Sequence, residues 1–146
     1  MKRKNSHEKG CRGEREARDF LHKLGFKDAR RTQQYCGKEG TSDVVCPESL
    51  PHVHIEVKYG YRKMDLGTHL LANACHQAKR DCKKGMEWAV LWKPMRKKWR
   101  LTRCGEWTTT DPNEIRAELL FMEESARGGV PQEAQVILMG EVKNAL

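Results

Sequence analysis

Asp43, Glu56 and Lys58 are residue types that can together handle a phosphate, two oxygen donors for a hard divalent cation and one amine for an anion. Glu56 and Lys58 lie in His52-Val53-His54-Ile55-Glu56-Val57-Lys58-Tyr59, where apolar and polar residues alternate with the period of a half-buried strand. Residues i and i+2 of a strand share a face, roughly 6.5–7 Å apart. Glu56 and Lys58 are therefore expected side by side, on the face opposite Val53, Ile55 and Val57. Asp43 opens the shorter run Val44-Val45-Cys46 and comes alongside if the two strands pair. Mg²⁺ takes one or two carboxylates, with water and substrate phosphate completing its shell, and Mn²⁺ is a substitute with similar oxygen preference. Asp43 and Glu56 supply that pair, and the Val57 backbone carbonyl between Glu56 and Lys58 offers a further oxygen. An ion held there would lower the pKa of its bound water. Lys58 would steady the attacking hydroxide or the pentavalent transition state. The ordinary alternative is an exposed Glu/Lys pair on a solvated strand face.

Further candidates lie on either side. A helix is expected from Gly10, with Ala17, Phe20, Leu21 and Leu24 on its apolar face and Gly25 ending it. Glu14 falls about 70° from the centre of that face, against about 90° for Glu16. It either complements the helix dipole or adds a third carboxylate for the ion. Arg12 and Arg15 decorate the polar side. Ala29–Tyr35 reads as a strand of long polar residues in which Arg30 and Arg31 can meet phosphates. Gln33 and Gln34 either hydrogen-bond a ligand or orient the attacking water, unless the strand is simply an exposed edge. Gln77, near the apolar stripe of a second helix, is either an accessory residue of the same site or a boundary residue. His54 is either a general base or a neutral neighbour of Glu56. A zinc site from Cys36, Cys46, His52 and His54 is disfavoured, because the cysteines are too far apart for a usual zinc knuckle.

These residues need a scaffold. After the first helix and the strands at 29–35, 43–46 and 52–59, a helix is expected at about 66–84, with Leu70, Leu71, Ala74 and Ala78 buried. Glu87–Lys93 and Lys98–Arg103 read as strands joined around Pro94–Lys97. Asp111-Pro112-Asn113-Glu114 signals a helix start, with an N-cap acid, proline at the first position and a glutamate three residues after the cap. Ile115, Leu119 and Met122 continue that helix, and Ala134–Met139 reads as a last short strand. The expected fold is α/β, a mixed central sheet flanked by helices. The organisation is a basic flexible arm at 1–9, one domain at 10–126 and a C-terminal extension at 127–146.

A formal net charge of +8 on 146 residues favours a polyanionic partner. Membrane insertion is not expected, since no apolar run approaches the roughly 20 residues that span a bilayer. The start of the chain is basic without an apolar stretch behind it, so it does not read as a signal peptide. Six cysteines without a CxxC pair point to reduced thiols in a cytoplasmic setting. The basic residues at 2–4, 9, 12, 15, 30–31, 62–63, 79–80 and 96–98 can track phosphates, or be solvated surface. Trp88, Trp92, Trp99 and Trp107 can stack on unpaired bases, but at this spacing core or dimer contacts are the commoner use.

Lys9-Gly-x-x-x-Glu14-Arg15-Glu16, then Gly25-Phe26, an arginine-rich strand, Ser42-Asp43-Val44-Val45 and Ile55-Glu56-Val57-Lys58, resembles the PD-(D/E)xK nuclease superfamily. The order is most similar to archaeal-type and phage Holliday junction resolvases, and the match covers residues 9–92. The resemblance implies metal ligation by Glu14, Asp43 and Glu56, with Lys58 as the catalytic lysine. It also implies backbone contacts from Arg15 and from Arg30 or Arg31. A Mg²⁺-dependent endodeoxyribonuclease acting on branched DNA, often as a two-fold homodimer, is the function it implies. Ser42 stands where the family has a proline. The alternatives are a nicking, restriction-type or repair endonuclease on linear duplex, and a basic DNA-binding module without turnover.

Overall fold

Strand alternation, two short apolar runs and three amphipathic helices have to share one sheet. In the computed structural model, which describes residues 6–32, 42–62, 69–103 and 107–128, they do so in chain order. The elements are α1 (Ser6–Lys23), β1 (Arg30–Arg31), β2 (Val44–Cys46), β3 (Leu50–Tyr59), α2 (His69–Asp81), β4 (Glu87–Lys93), β5 (Arg100–Arg103), β6 (Trp107–Thr109) and α3 (Pro112–Ala126). The sheet runs β1-β2-β3-β4-β5-β6. β3 and β4 are parallel, with α2 as the crossover between them, and every other neighbouring pair is antiparallel. The α/β fold with a mixed, helix-flanked sheet is thus present.

Two apolar layers hold it. On one face, Ala17 and Leu21 of α1 and Ile115, Leu119 and Met122 of α3 pack on Val44, Ile55, Val57, Leu91 and Leu101. On the other, Leu71, Ala74 and Ala78 of α2 pack on Val90 and Trp92. The two alanines let α2 lie close to the sheet. This second layer revises the expectation for β3. The strand is covered on both faces, and His54 and Glu56 are each 1% exposed. A parallel strand pair needs a crossover helix, and that helix covers the polar face that alternation alone assigns to solvent.

Several boundaries also move. α1 begins at Ser6, not Gly10, because Lys, Glu and Arg are good helix formers and Glu8 complements the dipole in the first turn. Residues 6–9 are therefore helical rather than part of the flexible arm expected at 1–9, and residues 1–5 lie outside the described residues. β3 begins at Leu50, so Pro51 lies in the strand's first residues rather than in a turn. Leu70, expected in the buried stripe of α2, is 38% exposed. Of the polar strand at 29–35, Arg30–Arg31 is strand and 33–35 lie outside the described residues, as does the strand expected at 134–139. Trp92 and Trp99 are buried in the core.

α3 starts as expected at its cap. The Asp111 side chain accepts from the Asn113 N–H at 2.9 Å, with proline following it. Glu114 does not reach back to the cap directly. It accepts from the Thr109 hydroxyl, which in turn accepts from the Asp111 N–H at 3.2 Å.

At the other end of α3, buried Glu123 accepts from the His52 N–H at 2.6 Å, bonds His52 Nδ1 at 2.8 Å and accepts from Arg127 Nε at 2.8 Å. Burial alone would raise this carboxyl, but the bonds from His52 and Arg127 outweigh it and hold Glu123 below its ordinary value. Glu123→Ala leaves a half-buried N–H on β3 without its acceptor and removes the bonds to His52 Nδ1 and Arg127, and should cost about 2–4 kcal/mol in urea unfolding at pH 7. Because the folded-state pKa is depressed, the stabilisation is present above the ordinary value of 4.5 and is lost as pH falls through the lower folded value. The gap between wild type and Glu123→Ala should therefore narrow in acid.

Candidate active site

The site is built where β2 leaves β3. Val44 pairs with Ile55, and the Asp43 N–H donates to the Ile55 carbonyl at 3.1 Å. The next β3 donor, the Val57 N–H, is met by the Asp43 carboxylate, with Oδ2 accepting at 2.9 Å. The side chain thus stands in for a ladder partner, and this fixes the carboxyl beside Glu56.

On β3, His54, Glu56 and Lys58 occupy the α2 face, opposite Trp88, Val90 and Trp92 of β4. His54 Nε2 lies 2.8 Å from Glu56 Oε1, and His54 Nδ1 lies 2.9 Å from Ser42 Oγ. Burial lowers the His54 pKa, so the ring is neutral. A neutral ring that donates from Nε2 to Glu56 accepts at Nδ1 from the Ser42 hydroxyl. That arrangement satisfies the Ser42 hydroxyl, both ring nitrogens and Glu56 Oε1, and gives His54 the role of an orienting neighbour. Glu56 Oε2 is buried without a donor. Buried polar atoms are rarely left so, and each such case requires a reason.

Asp43 supplies the reason. Burial, then the adjacent Glu56 charge, pushes the Asp43 carboxyl up to about 7. Burial also raises Glu56, against the Lys58 charge, which lowers it. Two carboxyls in contact cannot both be ionised at low cost, and they can bond one another only while one carries a proton. A divalent cation would replace that proton.

Asp43, Glu56, Val57 and Lys58 are therefore brought together as expected. Glu14 is not brought to them. α1 lies on the opposite face of the sheet, and the Glu14 carboxylate takes the Arg31 guanidinium, Oε2 accepting from Nη2 at 2.9 Å and from Nε at 3.1 Å. Arg31 is thereby committed to a protein acid, whereas Arg30 is exposed. Arg12 is exposed and lies 3.8 Å from Glu16, and Arg15 is exposed on the same helix. Gln77 is half-buried on α2, four residues before Asp81. Gln33 and Gln34 lie outside the described residues.

Among the described residues no three His, Cys, Asp or Glu side chains are grouped to hold a metal. The zinc reading fails on its described members, since Cys46 is buried in the core, His52 bonds Glu123 and His54 bonds Ser42 and Glu56. Two carboxylates do suffice for Mg²⁺, which is commonly held by one or two together with water and substrate phosphate. The residues present fit such an ion, with the unpartnered Glu56 Oε2 as the observation in favour.

Two contributors were missed from sequence. Ser42 was read as a mere substitute for proline, yet it closes the hydrogen-bond chain through His54. Asp81, at the end of α2, raises the pKa of both His54 and Glu56 by its charge. The pattern of α2 gave no sign of this, because Asp81 follows a basic run that reads as solvent-facing.

The chain matches no family model, no curated protein and no solved structure. Among the described residues no helix is long and apolar enough to cross a membrane.

Proposed function

We propose that the protein is a divalent-cation-dependent endodeoxyribonuclease of the PD-(D/E)xK type, with branched DNA, resolvase-like, as its first-choice substrate. The observation that carries this reading is the carboxyl pair of half-buried Asp43 and buried Glu56 with Lys58 beside it. Paired acids raised by burial and by each other are costly to keep, and they make sense where a cation is to be bound. The basic balance of the chain supports a polyanionic substrate.

In this reading Asp43 and Glu56 hold Mg²⁺ or Mn²⁺, with the Val57 carbonyl as a further oxygen. The bound ion would supply Lewis-acid activation of the phosphate and a water of lowered pKa. The protein's own groups do the rest. The Val57 N–H fixes Asp43, and Ser42 and His54 fix Glu56, so neither carboxylate has to reorganise when the ion enters. Lys58 offers its ammonium to the charge that develops on the phosphoryl oxygens. Glu14 holds Arg31 in place, and Arg12, Arg15 and Arg30 are the exposed cations for the DNA backbone. In a two-fold dimer, two such sites would address two strands of one junction.

The test is a synthetic four-way junction against a matched linear duplex, with and without Mg²⁺. Junction-selective, chelator-sensitive nicking is the expected result. Equal cutting of both substrates would instead favour an endonuclease for linear duplex. Tight binding with no product in Mg²⁺ or Mn²⁺ would reduce the protein to a DNA-binding module.

A further inference from the structure

α1 and the C-terminal ends of β3 and β4 enclose a cleft of about 840 Å³. Five basic side chains line it, Lys9, Arg12 and Arg15 from α1 and Lys93 and Arg96 from the end of β4 and its following turn, with Glu8 as the acid in the lining and Glu16 beside it, 3.8 Å from both Arg12 and Lys93. Tyr59 lines it as well. The cleft lies on the α1 side of the sheet, away from Glu56 and Lys58.

The cleft is firmly built. Gly13 lets α1 sit on β3, since a Cβ there would collide with the Tyr59 side chain. Gly60 has a left-handed φ of 76°, and a Cβ on it would lie 2.9 Å from Lys9 Cε. The Gly60 N–H donates to the Lys93 carbonyl at 2.8 Å, and the Met95 N–H to the Tyr61 carbonyl at 3.1 Å. These bonds tie the exits of β3 and β4 together. Tyr59 is braced from behind by Trp99, at 6.1 Å between centroids, and Trp99 stacks on Phe20 at 5.9 Å. Lys9 Nζ stands 4.2 Å over the Tyr61 ring.

Arg96 is the telling residue. Its φ of 61° lies in the left-handed region, and it is the one non-glycine with positive φ among the described residues. Such a conformation costs free energy, and a glycine at this turn position would remove that cost. The turn around it is held by the Lys97 N–H donating to the Pro94 carbonyl at 3.1 Å. An arginine in this strained conformation on the rim of a basic cleft places its guanidinium where an anion in the cleft can meet it.

Size decides which anion. A volume in the range of small-ligand sites, about 300–1,000 Å³, takes a few nucleotides of single strand. A duplex, whose major groove alone is about 12 Å wide, does not enter it. An aromatic ring beside a row of cations is also the arrangement that holds unpaired bases and their phosphates.

We propose that this cleft binds single-stranded DNA, two or three nucleotides of unpaired strand, through phosphate contacts to Lys9, Arg12, Arg15, Lys93 and Arg96 and stacking at Tyr59. This deepens the nuclease reading and rests on it for its setting. Lys58 and Tyr59 are consecutive on β3 and face opposite sides of the sheet. A strand crossing the end of β3 therefore passes from the carboxyl pair to the cleft. The substrate class is DNA with an unpaired strand next to the bond that is cut.

The test is fluorescence anisotropy of the full chain in EDTA, with (dT)12, (rU)12 and a 12-bp blunt duplex. (dT)12 is expected to bind at least tenfold tighter than the duplex and no more weakly than (rU)12. Arg96→Gly relieves the backbone while removing the side chain, so misfolding cannot explain its effect. It and Lys9→Ala should each weaken (dT)12 about 3–10-fold and reduce the salt slope by about 0.7, one phosphate contact on a single strand. Lys27→Ala, on the exposed turn after α1, should change nothing. A 5-bromodeoxyuridine oligonucleotide should photocrosslink to Tyr59. Equal or tighter duplex binding, a preference for RNA, or unchanged affinity in Arg96→Gly and Lys9→Ala would overturn the proposal. Because binding is read in EDTA and cleavage separately in Mg²⁺, binding without any cleavage would remove the nuclease reading and leave the cleft. Cleavage without single-strand preference would remove only the cleft.

Discussion

Asp43→Asn should abolish DNA cleavage, by a factor of at least 10³, and at the same time make the metal-free protein more stable at pH 8. Both effects follow from one half-buried carboxyl held against Glu56. Asp43 is raised from 3.8 to about 7 by burial and by Glu56. A group with a raised folded-state pKa binds its proton more tightly folded than unfolded. Its stabilising contribution is complete below 3.8 and is lost as pH rises through about 7. In chelator, wild type should therefore weaken between pH 4 and pH 8, by roughly 2–4 kcal/mol from this pair. Asparagine is isosteric, still accepts from the Val57 N–H, and donates to Glu56 without a charge. The variant should flatten the pH dependence and raise Tm at pH 8 by roughly 5–10 °C. Mg²⁺ reverses the order, because an ion that binds only the folded state at 100 times its Kd adds about 2.7 kcal/mol to wild type, and should add little to Asp43→Asn. Thermal melts at pH 5 and 8, with EDTA and with Mg²⁺, measure all of this. A variant that is less stable than wild type at pH 8 in EDTA would show that the pair is not under electrostatic strain.

The constellation was legible because strand alternation is a local signal. Glu56 and Lys58 had to share a face whatever surrounded them, and Asp43 needed only the pairing of two adjacent short strands. The burial of that face was not legible. His54 and Glu56 are polar, and alternation assigns polar residues to solvent. The covering comes from α2, whose contact residues Leu71, Ala74 and Ala78 show an apolar stripe without naming the face of the sheet that receives it. Glu14 failed as a third ligand for a related reason. Helical angle places it near the edge of the apolar stripe, but its partner is set by Arg31, seventeen residues away. Only the antiparallel pairing of β1 with β2 brings that guanidinium to α1. β6 was missed because three residues, Trp107–Thr109, carry no period to read. The helix start at Ser6 was missed because its first turns are polar and lack an apolar stripe. The cations of the cleft were visible one by one. Their convergence depends on Gly13 and Gly60 allowing α1 to sit against the strand ends, a feature of close approach that pattern does not encode.

Lys58 is the residue on which hydrolysis, as distinct from ion binding, is expected to turn. Its Cα is in register with that of Trp92, whose side chain is fully buried, and it is itself half-buried on the α2 face. Its charge reaches both carboxyls and lowers the pKa of each. Lys58→Met keeps the apolar stem and removes the charge, which isolates two consequences. Turnover should fall by about 10²–10³, the usual effect of deleting one preorganised charge partner of the transition state. DNA affinity in Ca²⁺ or EDTA should change by less than about threefold, because one phosphate contact among many is lost. With the lysine charge gone, the Asp43–Glu56 pair holds its proton to higher pH, and the cation must compete with that proton. The acid limb of the pH–rate profile, followed in Mn²⁺ to keep residual activity measurable, should therefore move to higher pH. Raising the metal concentration should move it back. A simple loss of packing would lower the rate at every pH alike and leave the limb in place, so the shift separates an electrostatic role from a structural one. Wild-type turnover in Lys58→Met would leave Asp43 and Glu56 as an ion site alone, with some other cation carrying the transition-state charge.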